Sequence, residues 1–326
     1  MFIVTGGAGF IGSALIWKLN KAGIDDIVVV DDLKTGNKWL NLSKRSIHTI
    51  ISKNDFPAWL QHRSRTIEAV FHLGACSSTT ETDGDYLMRN NCHFSMALFE
   101  YCADHQIPFL YASSAATYGL GKNGFDDRVE NLSLLHPINK YGYSKHLFDI
   151  WCMRQKTTPP SWFGFKFFNV YGPNEYHKGS QASVIYHAFH QIKQKNTLKL
   201  FKSYREDFAH GEQKRDFVYV KDVSNVLLHF YYEHKKAKSG IYNLGTGAAR
   251  SFADLGRSVF QSLGVQKVDF EWIDMPDSLK SQYQYFTEAQ VERLKTVGGY
   301  RSSFTSLEEG VEDYVKGYLS KEDVYL

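Results

Sequence analysis

Phe2-Ile3-Val4-Thr5-Gly6-Gly7-Ala8-Gly9-Phe10-Ile11-Gly12 decides how the chain folds. Phe2 to Thr5 reads as a short buried strand, and the glycines follow at once. The helix after them carries Ile11, Leu15, Ile16 and Leu19 on one stripe, and Gly23 is placed to end it. Strand, glycine turn and helix within the first ~25 residues form a dinucleotide-binding arrangement. Gly6 permits the tight turn, Gly9 lets the backbone approach a pyrophosphate, and Gly12 lets helix and sheet pack closely. The free amides at the helix N-terminus face the phosphates.

The next strand, Ile27-Val28-Val29-Val30, ends on Asp31-Asp32. Asp31 lies about twenty residues past the glycines, the position that accepts hydrogen bonds from an adenosine ribose. A weak strand at 47–51 and a helix from about Asp55 come next, and Lys38 and Lys53 are in reach of an adenosine 2′-phosphate or simply exposed. Ala69-Val70-Phe71-His72 is the fourth strand, turning at Leu73-Gly74-Ala75. His72 reads as a satisfied strand histidine. Cys76 reads as a small residue lining the cofactor, since no oriented base is evident nearby. A long helix over about 85–105 places Asn90 and Asn91 at its cofactor end.

Phe109-Leu110-Tyr111-Ala112 is the fifth strand, followed by Ser113-Ser114-Ala115-Ala116-Thr117-Tyr118-Gly119. Ligands of open α/β sheets bind beyond the strand C-termini, so these hydroxyls face a site. Pro137 marks where a helix can begin, and Tyr141-Gly142-Tyr143-Ser144-Lys145 lies in its first turns. Tyr141 and Lys145, four apart, share one helix face, whereas Tyr143 falls on the opposite side. An ammonium beside a phenol favours the phenolate and lowers its pKa, which suits Tyr141 to general-base duty. An isolated Y-x-x-x-K is more often a solvated helix face; the glycine turn in the same half of the chain reverses those odds.

The sixth strand is read at 163–168. Strand and helix alternate to this point, which argues a doubly wound parallel sheet of the Rossmann type. After Tyr171-Gly172-Pro173 the alternation breaks. One helix is expected over 182–195, an exposed loop over 202–214, and a strand over 215–220. Asp222 is expected to cap a helix running to about Glu233. A strand at 241–244 and two or three amphipathic helices around a strand near 268–272 complete the chain. Residues 1–172 and 217–246 are assigned to the nucleotide-binding domain, and 173–216 and 247–326 to a second, smaller α/β substrate domain.

The 326 residues are 43% hydrophobic and 22% charged, ordinary for a globular protein, and long enough for a large core. A net charge of +3 offers no footprint for nucleic acid. The cysteines, Cys76, Cys92, Cys102 and Cys152, show neither C-x-x-C nor metal-ligand spacing. His187 with His190, and His229 with His234, lack a third ligand at suitable spacing, so no metal is expected. A strand beginning at Phe2 leaves no room for a signal peptide, and no apolar run approaches membrane length. These features predict a cytoplasmic protein with no membrane partner.

Gly6/Gly9/Gly12, Asp31, Ser114 and Tyr141/Lys145 together resemble the extended short-chain dehydrogenase/reductase superfamily. Within it, Gly74-Ala75-Cys76-Ser77-Ser78-Thr79-Thr80-Glu81 and His177-Lys178-Gly179-Ser180 are similar to the ADP-heptose 6-epimerases of lipopolysaccharide inner-core synthesis. The resemblance implies that bound NADP⁺ takes hydride from C6″, that a 6″-aldehyde turns, and that hydride returns to its other face. It implies Tyr141 and Lys178 as the two acid/bases, Ser114 on the reacting oxygen, and Lys145 on the nicotinamide ribose. Cofactor contacts carried over are Gly6, Gly9, Phe10, Ile11, Gly12, Asp31, Asp32, Lys38, Lys53, Leu73, Gly74, Ala75, Cys76, Ser77, Asn90, Tyr141, Lys145, Val170 and Lys178. Substrate contacts are Ser114, Asn169, Ser180, His187, Phe201, Lys202, Ser203, Tyr204, Arg215 and Tyr283. Arg215 has an independent argument, because a guanidinium fork suits a diphosphate.

Two departures matter. The family usually has Asn where this chain has Asp32, and a second acid works against a 2′-phosphate, so NAD stands as the alternative to NADP. The stretch from Ser203 to Arg215 is longer than usual. Nucleotide-sugar 4,6-dehydratases carry an Asp-Glu pair where this chain has Ala115-Ala116, which argues against elimination chemistry. A UDP-sugar 4-epimerase is the alternative enzyme, and a dinucleotide-sensing regulator the alternative without catalysis. The resemblance also implies a homo-oligomer, with a pentamer as its form.

Overall fold

The computed structural model describes residues 1–62, 66–280 and 283–326. Seven strands form one parallel sheet: β1 (Phe2–Thr5), β2 (Ile27–Val30), β3 (Thr49–Ile51), β4 (Ala69–His72), β5 (Phe109–Ser114), β6 (Trp162–Phe167) and, far later in the chain, Gly240–Leu244. Three further pairs lie outside it. In chain order β7 (Asn169–Tyr171) pairs with β10 (Phe217–Tyr219), β8 (Leu198–Phe201) with β13 (Phe270–Ile273), and β9 (Lys214–Arg215) with β12 (Arg250–Ser251). Gly240–Leu244 is therefore β11, and the main order is β11-β6-β5-β4-β1-β2-β3. The chain reverses direction across the sheet between β1 and β4, which puts a ligand crevice beyond their C-terminal ends.

The strands are continuous apolar runs because both faces of the sheet are covered. Ile3, Val28, Val70, Phe109 and Tyr111 pack into one core, while Phe2, Val4, Val29, Phe71, Leu110, Phe163 and Phe165 pack into the other. A third core gathers Ile185, Phe189, Leu200, Phe217, Leu255, Val259, Val311 and Tyr314 from the later chain, and Phe10 and Ala14 of the first helix belong to it. The glycine-turn helix thus joins the main sheet to the elements that follow β6.

Several expectations need correction in detail. The helix after β10, Val220–Tyr232, has Tyr219 at its N-cap with no side-chain cap. Asp222 does not cap it; its carboxylate accepts the Thr305 amide at 2.8 Å. The long helix expected over 85–105 is Gly84–Leu87 and Phe94–Asp104 joined by a π-helical stretch, Met88–His93. Asn139, two residues past Pro137, is the N-cap of the helix Lys140–Arg154, accepting the Gly142 amide at 2.7 Å. Among the described residues no helix is long and apolar enough to cross a membrane.

Candidate active site

The crevice begins at the glycine turn. Gly6 takes a φ of +67°, and a Cβ there would stand 2.6 Å from the Gly74 Cα, so the turns after β1 and β4 touch backbone to backbone. A Cβ at Gly12 would overlap the Gly6 carbonyl oxygen, so the close approach that glycine permits is of the helix to its own turn rather than to the sheet. Gly9 is the N-cap of the helix Phe10–Lys21 and makes no side-chain cap, which leaves first-turn amides free for an anion. This cradle, with a cleft of about 670 Å³ in front of it, fits a dinucleotide.

Asp31 holds the turn from β2: its Oδ2 accepts the Ala8 amide at 3.0 Å and its Oδ1 accepts the Lys38 ammonium at 2.5 Å. A smaller recess behind it is lined by Asp31, Asp32, Lys34, Lys38, Lys53, Gly74, Ala75, Tyr86, Asn90 and Phe94. Lys53 donates to Asn90 Oδ1 at 2.8 Å, and its amide donates to Asp32 Oδ1 at 3.1 Å. The recess has the size and lining for an adenosine end.

At the other end of the large cleft, β5 and the helix Lys140–Arg154 present Ser114, Tyr141 and Lys145. Burial pushes the Tyr141 phenol above its ordinary value, and its hydrogen bond with Ser114 pulls the other way. The lowering expected from Lys145 is absent from the chain by itself. The Lys145 ammonium donates to the Ala112 carbonyl at 2.9 Å, and burial draws its own pKa down to about 8. For Lys145 desolvation outweighs the attraction of Asp149, whereas for Tyr141 the nearby Cys76 and Asp149 push the same way as burial.

Lys178 comes from a different element, the 3₁₀ segment Tyr176–Gln181, and lines the same cleft. Gly179, with a φ of +55°, breaks that segment directly after it. Glu175, fully enclosed, fastens the segment to the next helix: its carboxylate accepts the Ser183 amide at 2.5 Å and the Ser183 hydroxyl at 2.6 Å. Burial lowers the Lys178 pKa, opposed by Glu175.

The cleft therefore collects Gly6, Gly9, Phe10, Ile11, Gly12, Asp31, Lys38, Leu73, Gly74, Ala75, Ser77, Ser114, Tyr141, Lys145, Asn169, Val170 and Lys178. Cys76 lines neither recess; its backbone is engaged by the Asn91 side chain, N–H to Oδ1 and Nδ2 to O, both at 2.9 Å. Ser180, His187, Phe201, Lys202, Ser203, Tyr204, Arg215 and Tyr283 also lie outside the cleft lining. Of these, Arg215 is 7% exposed and forms no ion pair among the described residues. Its guanidinium lies between the rings of Tyr283, at 5.2 Å, and Phe252, at 5.6 Å. Phe252 lines the cleft, and Phe201 meets Tyr283 edge-on at 6.4 Å, so this cluster adjoins the cleft through Phe252. Lys202 and Tyr204 point instead to Asp274, at 3.2 and 2.8 Å.

Sequence reasoning missed Phe252, His177, Gln181 and Ser183 in the cleft, and Tyr86 and Phe94 in the smaller recess. His177 directly precedes Lys178 in His177-Lys178-Gly179-Ser180, and that adjacency is its signal. Phe252 gave no signal, because only the pairing of β9 with β12 brings it there. Among the described residues no group of three or more His, Cys, Asp or Glu side chains is placed to hold a metal ion.

Comparison with known proteins agrees with this geometry. Residues 2–245 match the NAD dependent epimerase/dehydratase family. The chain is 51% identical, over 100% of both chains, to an ADP-L-glycero-D-manno-heptose-6-epimerase of Fusobacterium nucleatum. It is 47% identical, again over 100% of both, to one of Nitratidesulfovibrio vulgaris. The crystal structure of the Helicobacter pylori ADP-L-glycero-D-manno-heptose-6-epimerase superposes with a TM-score of 0.78 at 27% identity, covering 97% of this chain and 95% of that one.

Proposed function

The chain belongs to the NAD-dependent epimerase/dehydratase family, with a nicotinamide cofactor, and from that premise we propose that it inverts C6″ of ADP-D-glycero-β-D-manno-heptose to the L-glycero epimer. The observation that carries this reading is that one cleft receives two separate proton-handling groups. Tyr141 arrives on the helix Lys140–Arg154 and Lys178 on the segment after β7. Inversion by removal and return of hydrogen needs a group that accepts the hydroxyl proton and one that returns it after the carbon has turned.

The bound nicotinamide supplies a carrier that takes hydrogen from C6″ and gives it back. The chain's own residues do the rest. Ser114 and Tyr141 hold the C6″ oxygen, Tyr141 takes its proton, and Lys145 holds the nicotinamide ribose. Lys178 serves the oxygen from the second orientation. Arg215, a buried cation whose partners among the described residues are two rings and a backbone carbonyl, is suited to the diphosphate. Asn169 in the cleft, and Phe201 and Tyr283 beside Arg215, are the nearer of the proposed ADP-heptose contacts, whereas Ser180, His187, Lys202, Ser203 and Tyr204 lie outside the cleft lining.

NADP is the proposed form, read from Lys38 and Lys53 flanking the adenosine recess, with NAD as the alternative because Asp31 already engages Lys38. Residues 1–172 and 217–246 would hold the cofactor, and 173–216 and 247–326 the substrate. The setting proposed is cytoplasmic supply of heptose to lipopolysaccharide inner core, by a homo-oligomer of pentameric form.

Turnover in D₂O tests the chemistry. C6″ has no acidic proton, so the epimer should carry no deuterium there, and substrate deuterated at C6″ should keep its label. Solvent deuterium entering C6″ in step with inversion overturns the mechanism. Turnover of UDP-galactose in preference to ADP-heptose overturns the substrate.

A further inference from the structure

The helix Lys140–Arg154 carries Tyr141, Lys145 and Asp149 on one stripe, each a turn from the next. All three close onto the end of β5, residue by residue. The Tyr111 hydroxyl donates to Asp149 Oδ1 at 2.9 Å, Lys145 donates to the Ala112 carbonyl at 2.9 Å, and the Ser113 hydroxyl donates to Asp149 Oδ2 at 2.7 Å. Ser114 then meets Tyr141. From β6, Lys166 donates to Asp149 Oδ2 at 2.6 Å, both side chains being 0% exposed. Lys166 also donates to Thr117 Oγ1 at 2.7 Å, and that hydroxyl donates to the Ser114 carbonyl at 2.9 Å.

Lys145 itself is 3% exposed and, among the described residues, its ammonium bonds a neutral carbonyl alone. Among the described residues the titratable groups around it are Tyr141 and Asp149 on its own helix, Cys92 on the π-helical stretch, Cys76 after β4, and His72 on β4, with Lys166 of β6 paired to Asp149. Asp149 is the carboxylate among them, and its attraction opposes the burial that favours a neutral amine.

We propose that Asp149 is a positioning residue for the reaction: it registers the Tyr141–Lys145 face against the end of β5 and sets a carboxylate one helical turn from the Lys145 ammonium. The proposal rests on the reading that Tyr141 and Lys145 serve the chemistry. A merely structural Asp149 would move the melting temperature and leave proton equilibria at Lys145 untouched.

Asp149→Asn removes the charge and keeps the shape, but it strands the Lys166 ammonium in the core. The double variant Asp149→Asn/Lys166→Met removes that orphan together with the Lys166 charge that Asp149 pairs with, so its effect on Lys145 is the smaller of the two. Both are studied as full-length chain with nicotinamide cofactor bound, using ¹³Cε-lysine labelling and Lys145→Arg to assign the resonance. The Lys145 titration midpoint should fall in both folded variants, by about one unit or more in Asp149→Asn and by less in the double variant, and in Asp149→Asn kcat above the new midpoint should drop roughly tenfold with KM little changed. An unchanged midpoint overturns the proposal and leaves the proposed function standing. A midpoint that moves while the kcat–pH profile does not removes Lys145 from the chemistry, and the proposal falls with that reading.

Discussion

The ammonium of Lys178 lies 5.3 Å from the centre of the Phe10 ring, so the loop after β7 docks on the first residue of the glycine-turn helix. A lysine that merely decorated a solvated loop would have no such seat. Lys178→Met should keep the ring contact through its aliphatic chain and lose the proton. Turnover is expected to fall by roughly 10²–10⁴-fold, with cofactor affinity and melting temperature near those of the parent chain. A change confined to KM would make Lys178 a binding residue and favour a one-base mechanism.

Tyr141→Phe removes a phenol that burial holds protonated and that Ser114 touches. Fluorescence titration with the nicotinamide cofactor should show binding retained, while steady-state turnover drops by roughly 10²–10⁴-fold. Near-parental kcat would take Tyr141 out of the mechanism.

For Arg215 the expected signature is in KM. Charge-assisted hydrogen bonds to a diphosphate contribute about 1.5–3 kcal/mol, so Arg215→Ala should raise KM for the ADP-sugar some 10–100-fold. Arg215→Lys should rescue little, because an ammonium neither forks across two phosphates nor lies flat between Tyr283 and Phe252. Equal KM in all three chains would place the diphosphate elsewhere.

Lys38 and Lys53 flank Asp31 and Asp32 in the smaller recess. Alanine at both should weaken NADP binding selectively, since a 2′-phosphate loses two partners and NAD loses none. Calorimetric titration with each dinucleotide checks this. Parallel losses would mean that the lysines do not read the 2′-phosphate and would favour NAD.

His72 links acid stability to the crevice floor. It is 2% exposed, between Thr5 Oγ1 at 2.7 Å and Ser95 Oγ at 2.8 Å, and burial takes its pKa to about 3. Between pH 6.5 and 3 the unfolded chain binds a proton at this site that the folded chain refuses. Its contribution is therefore complete above pH 6.5 and lost as pH falls toward 3. His72→Asn should flatten that part of the stability–pH curve in urea titrations, and an unaltered slope would assign the acid sensitivity to other groups.

What could be read from sequence was what local geometry enforces. The glycine turn, Asp31 and the Tyr141–Lys145 face all follow from spacing along one or two elements. The Asp222 cap failed because a carboxylate in a first turn serves a tertiary partner equally well, and here Thr305 takes it. The π-helical stretch at Met88–His93 leaves no mark on apolar periodicity over so few residues. The phenol at Tyr141 rises rather than falls because burial, which is a property of the whole fold, dominates and the nearby Cys76 and Asp149 add to it. The Arg215 seat needs residues 252 and 283 together, and no local pattern relates them.

The place of β11 governs how the chain can be made. It pairs along β6 from Gly240↔Phe163 to Leu244↔Phe167, so while residues 168–239 are still being synthesised the edge Trp162-Phe163-Gly164-Phe165-Lys166-Phe167 has no neighbour. That edge is aromatic and buried in the finished protein, with one charge whose partner lies on an earlier helix. A nascent or truncated chain ending before β11 thus offers an open template for pairing with another copy. The last strand of the sheet acts as a late seal: yield of active protein should depend on how quickly translation reaches it and on whether a chaperone covers the edge meanwhile.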